Sequence, residues 1–200
     1  ELFCIGLMSH QRKCVLMIGE PQSSEPWLHW LNDEKALLLA LMEKIHQFDP
    51  DIIIGWNVVN FDFRLLIKRA ALHKVNLTLG RGHQAISWRD ARNEVNLGYV
   101  TMPGRVVIDG IDALKTATYQ FASFSLEAVA QELLGEGKES EDIDNRLAQI
   151  EHDFQFDKIK LAHYNLQDCA LVLKIFAHTK VLDFLTLRSQ LTGLELDRMG

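Results

Sequence analysis

The chain has 200 residues, of which 48% are hydrophobic and 24% charged, a composition typical of one globular domain, or of a domain with a small appendage. Its net charge of −6 counts against a free-standing nucleic-acid-binding module, which is usually basic, but not against a nuclease whose site needs carboxylates. No apolar run could span a bilayer, no leader opens the chain and its three scattered cysteines form no CxxC pair, so we expect a cytoplasmic protein without membrane partners.

The first half of the chain alternates predicted strands and helices. In order, we predict a hairpin of residues 2–7 and 14–18, a loop at 21–26, a helix over 33–48, a strand over 51–56 and a helix over 61–73. Asn32 or Asp33 suits the N-cap of the first helix, and Pro50 ends it. The strand is continuously apolar, which predicts burial on both faces.

The second half is predicted to be mainly helical. In order, we predict a hairpin of residues 95–101 and 106–108, a helix over 125–134, a polar loop at 136–144 and helices over 157–180 and 182–191. Ser125 suits an N-cap, while Gly135 and Gly137 suit a helix end. This order of elements predicts an α/β fold with a mixed sheet.

Residues 55–62 join the most hydrophobic predicted strand to the helix that follows. Ligands of open α/β sheets bind beyond the carboxyl ends of strands, so Asp62 is a candidate functional acid. The position also suits a structural acid, because the helix dipole stabilises a carboxylate in the first turn. Position alone favours the structural interpretation and leaves the functional one open.

Asp168 lies beside an apolar stripe of the predicted helix over residues 157–180. Such an acid is rarely fully buried unless it is paired or binds metal. Tyr164 precedes it by four residues, so both side chains project from one helix face. The pair fits equally a phenol that orients a water beside a metal-binding carboxylate, or a boundary aspartate held by the tyrosine hydroxyl.

Four segments in register resemble the exonuclease region of family-B DNA polymerases. Residues 55–69, Gly-Trp-Asn-Val-Val-Asn-Phe-Asp-Phe-Arg-Leu-Leu-Ile-Lys-Arg, are similar to the second exonuclease motif of that family. Tyr164-x-x-x-Asp168-Cys169 is similar to the third motif, in the tyrosine branch of the DEDD exonucleases. Residues 104–109 and 123–138 are similar to two further segments, and Leu-Gly-Glu-Gly-Lys with Gly-Trp-Asn resembles the bacterial DNA polymerase II branch.

The resemblance implies a ribonuclease-H-like exonuclease fold, with a mixed central sheet flanked by helices and an inserted β-hairpin. Residues 1–192 would form a 3′→5′ exonuclease domain without its first strand, and residues 193–200 would begin the connection to the polymerase domains. The family's first motif, Asp-x-Glu, belongs on a strand ahead of residues 2–7 and does not occur in the chain. We therefore expect two of the four carboxylates, Asp62 and Asp168, and little or no activity from this segment alone.

The implied reaction is two-metal hydrolysis of the 3′-terminal nucleotide of DNA, as in proofreading. Asp62 and Asp168 would be the metal ligands, and oxygen ligands select Mg²⁺ or Mn²⁺. Tyr164 would hold the attacking water. Asn57, Phe61 and Lys138 would contact the substrate, although a core position for Phe61 is equally open and a lone lysine in a polar loop favours a solvated Lys138.

Three other residues could mimic parts of this site. His163 stands where the histidine branch of the DEDD exonucleases has its histidine, but Tyr164 is the better helical match to Asp168. Asp109 and Asp112 straddle a strand end, and the resemblance makes Asp109 a structural turn residue.

The implied partners are the single-stranded 3′ end of a primer-template, the polymerase domains of the same chain and a sliding clamp. The setting would be the bacterial cytoplasm, near the nucleoid, in DNA replication and repair. One alternative is a non-catalytic module that keeps the exonuclease fold as a scaffold. A free-standing DEDD ribonuclease is another, and residues 55–69, residues 123–138 and the acidic balance disfavour it.

Overall fold

The structure is a computed structural model that describes residues 1–92, 97–136 and 143–198. These residues form two compact units, which are described separately. The first unit comprises residues 1–37 and 121–178, and the second comprises residues 38–120 and 179–200. Within the described ranges, no helix combines the length and the apolar character needed to cross a membrane.

The described residues form seven strands and seven α-helices. The strands are β1 Cys4–Met8, β2 Lys13–Ile18, β3 Leu28–Leu31, β4 Ile52–Gly55, β5 Ser87–Asp90, β6 Gly98–Thr101 and β7 Val106–Asp109. The α-helices are α1 Glu34–Phe48, α2 Arg64–Leu72, α3 Gly110–Thr116, α4 Leu126–Leu134, α5 Ile143–Phe156, α6 Lys158–Thr179 and α7 Val181–Thr192. A π-helix, Val58–Phe63, precedes α2, and a 3₁₀ turn, Arg81–His83, follows it.

The sheet of the first unit is mixed. β1 pairs antiparallel with β2, as the predicted hairpin requires, and β2 pairs parallel with β3. β3 was not predicted, because four residues with one polar member give no clear alternation. The buried faces of β2 and β3 pack on α6 through a cluster of Val15, Met17, Trp27, Leu28, Leu161, Ala162 and Leu166.

Helix ends in the first unit follow the capping signals of the sequence. Asp33 Oδ1 accepts a hydrogen bond from the Ala36 N–H at 2.8 Å, and Ser125 Oγ accepts one from the Ala128 N–H at 3.2 Å. Gly135 ends α4 in the left-handed region, with φ 66°. The polar loop predicted over 136–144 lies mostly outside the described residues, and Asp144 instead belongs to α5.

The strands of the second unit correct two predictions. β7 pairs parallel with β4 and β6 pairs antiparallel with β5, so the hairpin predicted from residues 95–101 and 106–108 is wrong. A single antiparallel bridge, Met102 to Arg105, is what remains of it at the turn. The parallel pairing prevails because it aligns the apolar β7 with the apolar β4, where Val107 and Ile108 become buried. β4 itself is half-buried, not enclosed on both faces.

The seven strands form three small sheets among the described residues. The predicted α/β class is confirmed, and β5 with β6 supplies an antiparallel ribbon within it. The helices over residues 61–73, 157–180 and 182–191 are confirmed with small shifts of their ends, the first with a π-helix at its start.

A buried arginine joins three segments of the second unit. The side chain of Arg105 is 1% exposed, and it donates to the Leu79 carbonyl at 3.0 Å, the Pro50 carbonyl at 2.7 Å and Asp49 Oδ1 at 2.7 Å. Arg81 also donates to Asp49 Oδ1, at 3.1 Å. These bonds hold the turn between α1 and β4, because burying an arginine is tolerated only when its donors are satisfied.

Candidate functional site

The Gly55–Asp62 segment is built at the carboxyl end of β4. Asn57 adopts the left-handed region with φ 55°, which asparagine tolerates better than most residues. The chain then enters the π-helix, whose first turn includes a bond from the Phe61 N–H to the Asn57 carbonyl at 3.0 Å. Short π-helices occur frequently at functional sites, and this one places Asp62 at the surface.

The electrostatic surroundings of Asp62 disfavour its negative charge. Solvent reaches the side chain, but crowded protein atoms displace part of its hydration and raise the pKa of its carboxyl group to about 7. The negative charge of Asp109 raises the pKa further. A carboxylate in this setting gains from a proton or a cation nearby.

Two of the predicted substrate residues lie on the same exposed segment. Asn57 is exposed, and Phe61 is 59% exposed, so the core alternative for this phenylalanine is excluded. An aromatic ring in the open has a free face for stacking. Lys138, the third predicted substrate residue, lies outside the described residues.

Sequence reasoning missed Asn60, which connects this segment to the antiparallel ribbon. Its Oδ1 accepts a hydrogen bond from the Gly98 N–H at 2.9 Å, at the start of β6. The available signal was its place in the Gly55–Asp62 motif, a polar residue between two apolar ones.

Asp109 is the last residue of the neighbouring strand, β7, and Asp112 lies in the first turn of α3. Asp109 is the N-cap of α3, and its Oδ1 accepts from the Ile111 N–H at 3.0 Å, so the expected structural role is observed. Burial raises the pKa of both acids, and for Asp112, with a further contribution from the charge of Asp109, it reaches about 6.

Tyr164 and Asp168 lie one turn apart on α6 in the first unit, and both are half-buried. Beside them, α6 approaches β1 closely: a Cβ on Gly6 would meet Asn165 Oδ1 at 2.3 Å and Cys169 Sγ at 3.2 Å. The Asn165 amide donates to Cys4 Sγ at 3.2 Å. Asn165 and Cys169, next to Asp168 on α6, therefore pack closely against β1.

His163 has a structural partner in the first unit. Its ring meets the Trp27 ring edge-on, with centroids 5.0 Å apart, next to the buried cluster of that unit. The contact suits a packing role for this histidine.

The predicted site residues thus form two groups, one in each unit. Asn57, Phe61 and Asp62 share the π-helical segment of the second unit, whereas Tyr164 and Asp168 share α6 of the first. Over the part of the chain that the structure describes, no group of three or more His, Cys, Asp or Glu side chains is placed to hold a metal ion.

Comparison with known proteins identifies the family to which the chain belongs. Residues 3–129 match the model of the exonuclease domain of DNA polymerase family B, and the chain belongs to that family. The match includes the Gly55–Asp62 segment and Asp109.

Among individual proteins, the chain is similar to DNA polymerase II of Escherichia coli K12, with 43% identity over 204 residues, covering 100% of this chain and 26% of that protein. It is also similar to the DNA polymerase delta catalytic subunits of Dictyostelium discoideum, with 31% identity over 82% of this chain and 15% of that protein, and of Bos taurus, with 31% identity over 92% of this chain and 17% of that protein. The chain therefore spans about a quarter or less of these relatives.

Proposed function

We propose that this chain is the 3′→5′ proofreading exonuclease module of a DNA-directed DNA polymerase, and that it contributes to hydrolysis of the 3′-terminal nucleotide of DNA. The observation that carries the proposal is the exposed segment at the end of β4. The side chains of Asn57, Phe61 and Asp62 are exposed there, at the start of the π-helix and within it. The chain that carries them belongs to the family of the exonuclease domain.

The donor chemistry of the chain suits Mg²⁺ or Mn²⁺. Asp62 and Asp168 offer carboxylate oxygens, which these hard cations prefer. The surroundings of Asp62 add to the fit, because partial loss of water and the charge of Asp109 both favour a bound cation over a bare carboxylate. Two such cations, when bound, would stabilise the attacking and leaving oxygens of an in-line displacement.

The remaining residues would position the reactants. Tyr164, one turn from Asp168, would orient the attacking water through its phenol. Phe61 would stack its exposed ring on the terminal base or sugar, and Asn57 would hydrogen-bond to the same nucleotide. Lys138 would contact a phosphate.

The substrate would be a frayed, single-stranded 3′ end of a primer-template. A mismatched terminus costs less to unpair than a matched one, so it would reach the site more often. The partners would be DNA, the polymerase domains of the same protein and a sliding clamp, in the cytoplasm of a bacterium.

A 3′-excision assay tests the proposal. We would compare the chain with a form extended upstream by a strand that carries Asp-x-Glu, on 5′-labelled single-stranded DNA with Mg²⁺ or Mn²⁺. We expect only the extended form to cut. If neither form cuts while both stay folded, a scaffold role replaces the enzymatic one. Cutting by the chain alone would refute the need for four carboxylates.

Two further measurements separate the roles of the acids. In a full polymerase that carries this chain, Asp168→Ala should abolish excision and leave polymerisation intact, whereas loss of both would indicate a folding defect. Calorimetry of the chain should detect weak Mn²⁺ binding that is lost in Asp62→Ala and Asp168→Ala. An absence of heat from the unsubstituted chain would contradict this expectation.

A further inference from the structure

Asp109 bonds to two separate segments of the second unit. It lies at the end of β7, in register with Gly55 of β4, and is 6% exposed. Its Oδ1 accepts from the Ile111 N–H at 3.0 Å, which caps α3, while its Oδ2 accepts a longer bond of 3.4 Å from the Val59 N–H. The backbone of Asn57 also donates to this carboxylate.

The Asn57 and Val59 amides belong to the bend of residues 57–59, at which the chain enters the π-helix. The backbone around this bend is tightly packed. A Cβ on Gly55 would meet Val58 Cβ at 2.5 Å, and a Cβ on Gly110 would meet the Trp56 ring at 2.7 Å. The bend therefore lies directly against the ends of both strands, and the Asp109 carboxylate accepts hydrogen bonds from two of its amides.

We propose that Asp109 is a positioning residue for Asp62, holding the 57–59 bend through its Oδ2 so that the π-helix presents Asp62 and Phe61 in one orientation. The inference rests on the proposed function and adds to it a residue outside the set assigned there. We assign Asp109 a role through the backbone, because both of its oxygens accept backbone N–H groups.

The two oxygens allow the structural and positioning contributions to be separated. Asp109→Asn keeps an acceptor for the Ile111 cap but can place an amide donor opposite the Val59 N–H. Asp109→Ser keeps a capping oxygen alone. Asp112→Asn is the matched control, because it removes a neighbouring charge, and the Val59 bond belongs to Asp109.

The test uses a polymerase that carries this chain and an intact Asp-x-Glu motif. Hydrogen-exchange mass spectrometry of peptides spanning residues 56–61 reports the bend, and excision kinetics report the site. In Asp109→Asn and Asp109→Ser we expect exchange at the bend to rise about tenfold or more. We expect kcat for excision to fall by about 10- to 100-fold with a much smaller change in KM, since positioning errors act on the reacting geometry. Asp112→Asn should leave both unchanged.

Three outcomes would overturn the inference. Unchanged exchange in Asp109→Asn would show that the carboxylate does not hold the bend. Faster exchange with unchanged kcat would make Asp109 a structural cap only. An equal loss of kcat in Asp112→Asn would assign the effect to charge instead of position. Failure of the proposed function would look different, because the unsubstituted protein would then excise nothing. That result would overturn both the proposed function and the positioning role of Asp109.

Discussion

Replacing Asp62 with asparagine should stabilise the metal-free chain at neutral and alkaline pH while removing a proposed metal ligand. The pKa of Asp62 is raised from 3.8 to about 7, first by partial loss of water and then by the charge of Asp109. The folded state therefore holds a proton that the unfolded state has already released. Stability supplied by that proton is present at low pH and is lost as the pH rises through the window from 3.8 to about 7.

The size of the effect follows from the shift and from exposure. A shift from 3.8 to about 7 corresponds to about 4 kcal/mol in full, at 1.36 kcal/mol for each pKa unit. Because solvent reaches Asp62, screening reduces this to about 1 kcal/mol. We therefore expect Asp62→Asn to raise the free energy of unfolding by about 1 kcal/mol at about pH 8, with a smaller gain at each lower pH.

Urea denaturation at a series of pH values, with a chelator present, measures this difference. Asp183→Asn, at an exposed acid in the first turn of α7, is the matched control and should change the free energy of unfolding by less than about 0.5 kcal/mol. A loss of stability in Asp62→Asn, or a gain that does not depend on pH, would refute the electrostatic reasoning.

Three further substitutions test the packing and capping of the two units. Gly6→Ala should destabilise the chain by about 1–3 kcal/mol, because the added Cβ would meet Asn165 Oδ1 at 2.3 Å. Adding Asn165→Ala to this variant should recover part of the lost stability, as measured by thermal denaturation. Arg105→Met should lower the free energy of unfolding by about 2–4 kcal/mol, because the Leu79 and Pro50 carbonyls lose their buried donor, and a change below about 0.5 kcal/mol in urea would contradict this. Ser125→Ala should cost about 1 kcal/mol in the same assay through loss of the α4 cap, whereas an equally stable variant would mean that the cap contributes nothing.

Local signals account for the elements that were predicted. Helices with a capping residue and an apolar period, such as those that begin after Asp33 and Ser125, depend on neighbours within a few residues, which the sequence displays directly. The first hairpin is also a local contact, between strands a few residues apart.

Pairings between distant strands account for the main error. Residues 106–108 follow Pro103-Gly104, which signals a turn, so a hairpin was the local interpretation. The pairing that forms instead joins β7 to β4, about fifty residues apart in the sequence. It is favoured by burial of both strands together, which the sequence of neither strand alone indicates. The π-helix was likewise not predicted, because the left-handed Asn57 and the close packing of Val58 on Gly55 at its start leave no periodic signal in the sequence.

The candidate site also combines features that the sequence indicates locally with features that depend on distant contacts. Asp62, Tyr164 and Asp168 were proposed from motifs, and the structure adds that Phe61 is exposed and that partial loss of water, with the charge of Asp109, raises the pKa of Asp62. The bond from Val59 to Asp109 joins residues fifty positions apart, so spacing could not reveal it.

A chimaera gives the most direct test of the central claim. This chain would replace the segment that it matches in E. coli DNA polymerase II, which covers 26% of that protein, and the chimaera would be assayed for Mg²⁺-dependent excision from a mismatched 3′ end. We predict that the chimaera excises, and that Asp62→Ala or Asp168→Ala abolishes excision while polymerisation continues. A chimaera that polymerises but excises nothing, or that still excises after Asp62→Ala, would contradict the exonuclease assignment of these residues.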